Sequence, residues 1–139
     1  MKTKIKYIFL SSRKIYKPKA NIKENSLKTP LDNYSKNKFK TEKKLNQLLK
    51  KKLLILRISN LIGKIYNNDQ NRKISKTFIY NFYKLKKKKI IYYENHFKDF
   101  LSIKQFSHIF FKILQKNLNG IYNVSLGKKV YISEILYAL

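Results

Sequence analysis

The sequence predicts an α/β fold built on a parallel sheet, and three observations carry that prediction. Ile5 to Leu10, Leu53 to Ile58 and Ile121 to Val124 are compact apolar runs with little alternation, as strands buried on both faces are. The longer stretches between them repeat their apolar residues at helical spacing. Strands alternating with helices place neighbouring strands parallel, because each crossover helix returns the chain to the same end of the sheet.

The elements follow in chain order. Ile5 to Leu10 ends in Ser11-Ser12 and reads as the first strand. Lys14 to Pro30 is polar, carries both prolines and reads as a loop. Tyr34 to Lys52 reads as a lysine-rich amphipathic helix with Phe39, Leu45, Leu48 and Leu49 on its apolar side. Leu53 to Ile58 is the second strand, and Gly63 marks a turn after it. Ile74, Phe78, Ile79, Phe82 and Leu85 predict a helix over 72–87. Ile90 to Tyr93 and Phe100 to Ile103 read as short extended segments, and Phe106 to Leu114 as a helix. Gly120 opens a third strand, and Ser133 is the expected cap of a last helix that stops at Leu139.

At 139 residues, 43% hydrophobic and 14% aromatic, the chain suits one packed domain or one substantial piece of a larger one. That composition excludes a disordered tail. Cysteine is absent, which excludes disulfides, thiolate metal sites and a cysteine nucleophile. His96 and His108 are too far apart in sequence to form a local ligand pair, so no metal is expected. The apolar runs are far shorter than a membrane span. Tyr7-Ile8-Phe9-Leu10 follows three lysines but is too short for the core of a signal peptide. The expected compartment is the cytoplasm.

The 33 Lys and Arg against 7 acids give a net charge of +26, which first suggests nucleic acid. Composition offers another source. Lys, Ile, Asn, Tyr and Phe, all read from A/T-rich codons, make up more than half of the chain, while arginine occurs three times. A surface selected for phosphate would favour arginine, the better bidentate ligand. Nucleic acid is therefore not the expected partner, although the charge favours anionic ligands in general, diphosphates included. The competing reading is a small basic protein that holds a polyanion without catalysis, with an affinity that falls steeply with salt.

Three residues form the candidate chemistry. Ser12 stands just past the C-terminal end of the first strand, and Tyr34 and Lys38, four apart, project from one face at the start of the next helix. Ligands of open parallel sheets bind at that end of the strands. An ammonium beside a phenol favours its ionised form, and a phenolate can take a proton from an alcohol while hydride leaves the carbon. A serine hydroxyl in the same site can hold the substrate oxygen. A Tyr-x-x-x-Lys pair alone is cheap among 11 tyrosines and 30 lysines; its order relative to other motifs gives it weight.

Tyr7-Ile8-Phe9-Leu10-Ser11-Ser12-Arg13-Lys14-Ile15-Tyr16 resembles the strand-Ser-Ser-x-x-Val-Tyr-Gly element of extended short-chain dehydrogenases/reductases, the NAD-dependent epimerase/dehydratase family. Glu24 before Pro30 follows in family order, then Tyr34-Ser35-Lys36-Asn37-Lys38 with Glu42 one turn on. Leu56-Arg57-Ile58-Ser59-Asn60-Leu61-Ile62-Gly63 is similar to the family's Leu-Arg-x-x-Asn-Val-Tyr-Gly. Lys98-Asp99-Phe100-Leu101-Ser102-Ile103 resembles its Arg-Asp-Phe-Ile-His-Val, and Gly120-Ile121-Tyr122-Asn123-Val124 with Gly127 its closing strand.

That resemblance implies a Rossmann-like sheet, here its last strands only, with a small α/β substrate-binding lobe. Residues 1–66 and 120–139 would form the C-terminal half of an NAD(P)-binding domain, and 67–119 the lobe. Tyr34 would be the catalytic base, and Lys38 would bind the nicotinamide ribose and support Tyr34. Ser12 would hold the reacting hydroxyl, Asn60 would contact a diphosphate, and Lys98 would replace a phosphate-binding arginine, without its bidentate fork. The implied cofactor is NAD or NADP, and the implied substrate a nucleotide sugar. Family dehydratases carry Asp-Glu after the hydroxyl residue; Arg13 and Lys14 stand here, which points to epimerisation or keto-sugar reduction. Lys17, Ser102 and Gln105 also depart from the family's Gly, His and Asp. The family's Gly-x-x-Gly-x-x-Gly turn has no counterpart among Gly63, Gly120 and Gly127. The expectations that follow are a chain inactive alone, completed by a separate N-terminal chain, and an exposed apolar edge on the first strand.

Overall fold

The computed structural model describes residues 7–63 and 94–138. The expected helix over 72–87, the extended segment Ile90 to Tyr93 and most of the expected lobe lie outside those residues. Strand β1 (Tyr7–Ser12) and helix α1 (Asn33–Leu49) are followed by β2 (Leu53–Ile58) and β3 (Asn60–Ile62). Then come β4 (Phe97–Lys98), β5 (Phe100–Ser102), helix α2 (Ile103–Gln115) and β6 (Gly120–Val124). A short β7 (Val130–Tyr131) and helix α3 (Ile132–Ala138) close the chain.

The main sheet has the order β1-β2-β6 and is parallel throughout, with Ser12 opposite Ile58 and Ile58 opposite Val124. Successive strand residues point to opposite faces, and every residue of β2 is buried, so both faces are covered. Leu54, Leu56 and Ile58 turn to one side, where Leu101 and Val124 join them and Phe106, Ile109, Phe110 and Ile113 of α2 pack over the cluster. Arg57 turns to the other side and meets Glu42 of α1. The sheet thus lies between α1 and α2. Helix α2 falls in the residue range expected for a lobe, yet its spacing of aromatic and aliphatic residues packs on the sheet.

Several boundaries differ from the expectation, each for a local reason. Ser12 is the last residue of β1 rather than just beyond it. The loop after it opens with a 3-10 turn, Arg13–Ile15, and Tyr16 bridges Lys28 across it. Helix α1 buries Ser35 and Glu42 on the face where Phe39, Leu45 and Leu49 are half-buried, while Leu48 is exposed. Gly63 does not make a left-handed turn. A Cβ there would lie 2.6 Å from the Ile103 side chain, so the glycine is a close approach between the end of β3 and α2. Helix α2 starts three residues earlier than expected because Ser102 and Gln105 cap it reciprocally, the serine hydroxyl accepting the Gln105 N–H and Gln105 Oε1 the Ser102 N–H. Those are two of the departures from the family pattern, and here they serve the backbone. Ser133 lies inside α3; its N–H is taken by Asn95 Oδ1, and Glu134 accepts the N–H of Tyr131.

Strand β1 pairs with β2 on one side and with no other strand among the described residues. Tyr7 and Leu10 are exposed along it.

Candidate active site

Ser12 caps the 3-10 turn, its Oγ accepting the Lys14 N–H at 3.2 Å. Across from it, α1 is started by Asp32. Asp32 Oδ1 accepts the Ser35 N–H at 2.7 Å, and Ser35 Oγ accepts the Asp32 N–H at 3.2 Å. Ser35 is buried, so this pair pins the first turn of α1 against the body. The turn carries Tyr34, and the next one Lys38, to the C-terminal end of β1. Lys38 Nζ donates to the Leu10 carbonyl at 2.8 Å and stands 4.9 Å from the centre of the Phe9 ring. Tyr34 is half-exposed, with Lys38 Nζ and Lys14 Nζ each 5.8 Å from its ring centre. Lys14 therefore links the two sides, its backbone bonded to Ser12 and its ammonium facing Tyr34.

A carboxylate, that of Asp32, stands at this rim. Asp32 Oδ2 lies 3.6 Å from Lys14 Nζ. Hydrogen bonds from Ser35 hold its carboxyl below the usual range, and Lys14 adds to that effect. An acid held ionised at neutral pH has no proton to give.

The two other candidates fall on the small sheets that flank this rim. Asn60 Nδ2 donates to the Asp99 carbonyl at 2.7 Å, so its amide braces β3 against the chain entering β5. Lys98 is half-buried in β4; burial lowers its pKa, and the positive charges of Arg13 and Lys14 lower it further. Those neighbours bring Lys98 close to the turn that Ser12 caps.

Beneath the rim lies a buried polar network that carries no role in the sequence reading, although each member stands in a quoted motif. Arg57 and Glu42 form a bidentate pair at 2.7 and 3.1 Å, both nearly inaccessible to solvent. Arg57 also donates to the Tyr16 hydroxyl and to the Glu24 carbonyl. Tyr16 donates in turn to Asn123 Oδ1 at 3.0 Å. Burial pushes the Tyr16 phenol up, against the pull of Arg57, so it stays a neutral donor. Desolvation works against the Arg57 charge, but Glu42 and Tyr16 together leave its pKa raised. The signal was present in the sequence: a charged residue inside an apolar strand needs a buried partner.

The network clamps the loop from Arg13 to Pro30 onto β2 and β6. Glu24 Oε1 accepts the Asn123 N–H at 2.8 Å, and that bond holds its carboxyl below the usual range, with slight burial opposing. A depressed carboxylate stabilises the fold above its unfolded pKa, and the contribution is lost as pH falls through the folded one. Glu24→Gln is thus expected to flatten the acid limb of a stability–pH curve below about pH 4. Urea midpoints from pH 3 to 7 check this, and an unchanged slope would count against the bond.

The sequence pattern of the NAD dependent epimerase/dehydratase family matches residues 1–125, and the chain belongs to that family. Its architecture is shared by UDP-N-acetylglucosamine 4-epimerase from Methanobrevibacter ruminantium, solved in complex with UDP-N-acetylmuramic acid. That likeness has a TM-score of 0.73 and 24% identity, over 96% of this chain and 45% of that one. The Bordetella bronchiseptica enzyme WbmG in complex with NAD and UDP gives a TM-score of 0.74 at 24% identity, over 96% and 41%. RMD from Pseudomonas aeruginosa complexed with NADPH gives 0.70 at 19% identity, over 94% and 48%. At these identities the likeness speaks for the fold, and the chain spans less than half the length of each structure. No curated protein matches it. Among the described residues no helix is long and apolar enough to cross a membrane, and no cluster of three or more His, Cys, Asp or Glu could hold a metal.

Proposed function

We propose that the chain is the substrate-side half of an NAD(P)-dependent nucleotide-sugar epimerase or keto-sugar reductase. One observation carries the reading: Tyr34, flanked by Lys38 and Lys14, stands at the C-terminal end of β1 where Ser12 ends the strand. In it, Tyr34 takes the proton of the reacting hydroxyl and Ser12 holds the oxygen. Lys38 keeps Tyr34 in a cationic setting and offers two further N–H donors to a ribose, one being spent on Leu10. NAD or NADP, when bound, supplies the hydride acceptor. The residues fit its nicotinamide end; among the described residues no glycine-rich turn fits its pyrophosphate. Asn60, whose amide carries a second N–H beside the one given to Asp99, and Lys98 hold the nucleotide's diphosphate. WbmG and RMD, solved with NAD and UDP and with NADPH, support this choice of cofactor and substrate class.

Sugar dehydration is set aside because Arg13 and Lys14 follow Ser12, and because Asp32, the carboxylate nearby, is held ionised. The comparisons lend no support to a separate N-terminal chain. Without a glycine-rich turn, these 139 residues by themselves are expected to bind NADH without micromolar saturation, as read by fluorescence titration. Joined to the glycine-rich half of a family epimerase, the chain is expected to turn over a UDP-sugar, and Tyr34→Phe to lower kcat about 10²–10⁴-fold. A Tyr34→Phe rate within twofold of the parent would sink the assignment.

A further inference from the structure

Beside the Ser12 rim, and lined by neither Ser12, Tyr34 nor Lys38, a cavity of about 190 Å³ opens between segment 13–22 and loop 123–129. Pockets for whole small molecules run to roughly 300–1,000 Å³; this one suits a single group. Its wall is cationic, with Arg13, Lys19, Lys128 and Lys129 together with Arg57, whose charge Glu42 balances. Asp99 is the carboxylate of that wall, and both its oxygens are engaged, by the N–H groups of Leu126 at 3.2 Å and Lys128 at 2.9 Å. Arg13, Lys19 and Lys128 form no ion pair among the described residues. A second observation comes from Ser59 in the same wall, which is 8% exposed and whose buried hydroxyl has no partner among the described residues. Buried hydroxyls are rarely left so. The lysine-rich composition accounts for lysines on any surface. It does not account for a guanidinium here, one of only three in the chain.

We infer that this cavity is a subsite for an anionic group, a carboxylate or a phosphate, with the Arg13 fork as its main ligand and Ser59 as a further donor. The inference rests on the proposed function in one respect. With the reacting hydroxyl at Ser12, the residue before Arg13, the anion is one borne by the sugar, and the substrate is an acidic nucleotide sugar. Cations after Ser12 then have a purpose that the dehydratases' carboxylates could not serve, since those would repel such a substrate.

The test uses the full 139-residue chain and calorimetric or NMR titration at fixed ionic strength. Inorganic phosphate is the first probe. Arg13→Gln is expected to weaken its binding about tenfold, whereas Lys44→Gln, which removes the same charge from an exposed site on α1, should leave it within about twofold. Equal effects of the two variants would mean attraction by net charge alone and would overturn the subsite. Should Arg13→Gln fail the circular-dichroism check of folding, Lys128→Gln replaces it, with a loss of about threefold expected and parity with Lys44→Gln again overturning. UDP-glucuronic acid against UDP-glucose then finds the source of the anion. A preference for the acid that disappears in Arg13→Gln places the anion on the sugar, and equal affinities beside an intact phosphate effect make it a free anion and overturn the acidic substrate. UDP that fails to bind while phosphate binding still depends on Arg13 would refute the function proposed above and leave the subsite standing.

Discussion

Glu42→Ala is expected to destabilise the protein by about 3–5 kcal/mol, because it strands a buried guanidinium. Arg57 is 2% and Glu42 3% exposed, and the two are joined by a bidentate bridge at 2.7 and 3.1 Å. After the substitution Arg57 retains the Tyr16 hydroxyl and the Glu24 carbonyl, and the Glu24 carboxylate acts on it from a distance, but no carboxylate is hydrogen-bonded to it. A loss of that size is a large fraction of the roughly 5–15 kcal/mol by which domains are stable. The comparison that isolates the cause is the double variant Glu42→Leu with Arg57→Met, which removes both charges and should recover most of the loss. The exposed Lys14–Asp32 pair, at 3.6 Å, supplies the opposite control. Lys14→Met should leave the urea midpoint close to that of the parent, because the pair is solvent-exposed. Urea unfolding of the four proteins gives all the terms, and a loss below about 1 kcal/mol for Glu42→Ala would show that water reaches the pair.

The parts of the fold that the sequence made legible are those with a strong local signal. The run Leu53 to Ile58, apolar but for Arg57, reads as a buried strand, and it is one, residue for residue. The i, i+4 spacing of Tyr34 and Lys38 required a shared face, and Lys38 lies by the Tyr34 ring. What stayed hidden was set by partners distant in sequence. The buried side of α1 carries Glu42, paired with Arg57, among the half-buried Phe39, Leu45 and Leu49, and Leu48 falls outside it. Gly63 reads as a turn because glycine usually is one, and only the approach of Ile103 reveals its reason. Ser102 and Gln105 read as defects in a site when matched to a family pattern; in the structure they start a helix. Of the candidate site, the residues on one helix and the strand beside it could be placed by spacing. Asn60 could not, because the carbonyl that occupies its amide belongs to Asp99, far along the chain. The cavity by Arg13 was equally invisible, for it needs two loops more than a hundred residues apart to meet.

Leu101→Ala carries the other large effect, an expected loss of about 2–5 kcal/mol. Leu101 sits in β5, which pairs only with β3 in a two-stranded sheet of its own among the described residues. A strand so placed could be held by a few backbone bonds and open locally. Its side chain argues otherwise: Leu101 is 0% exposed and belongs to the same cluster as Leu54, Leu56, Ile58 and Val124 of the main sheet. Truncation would open a hole between the two sheets that the Phe106 and Phe110 rings, stacked 5.6 Å apart, are poorly shaped to fill. If β5 is integral to the core, the loss appears in global unfolding, and amide exchange across β2 speeds up together with that across β5. If β5 merely rests on the sheet, only its own amides quicken and the urea midpoint barely moves. The distinction bears on the site, because Asp99 between β4 and β5 ties Asn60 to one side and the Leu126–Lys128 loop to the other. An anchor at Leu101 therefore sets the positions of Lys98, Asn60 and the wall of the Arg13 cavity at once. The Leu101→Ala variant should weaken phosphate binding at Arg13 even under conditions where it remains folded.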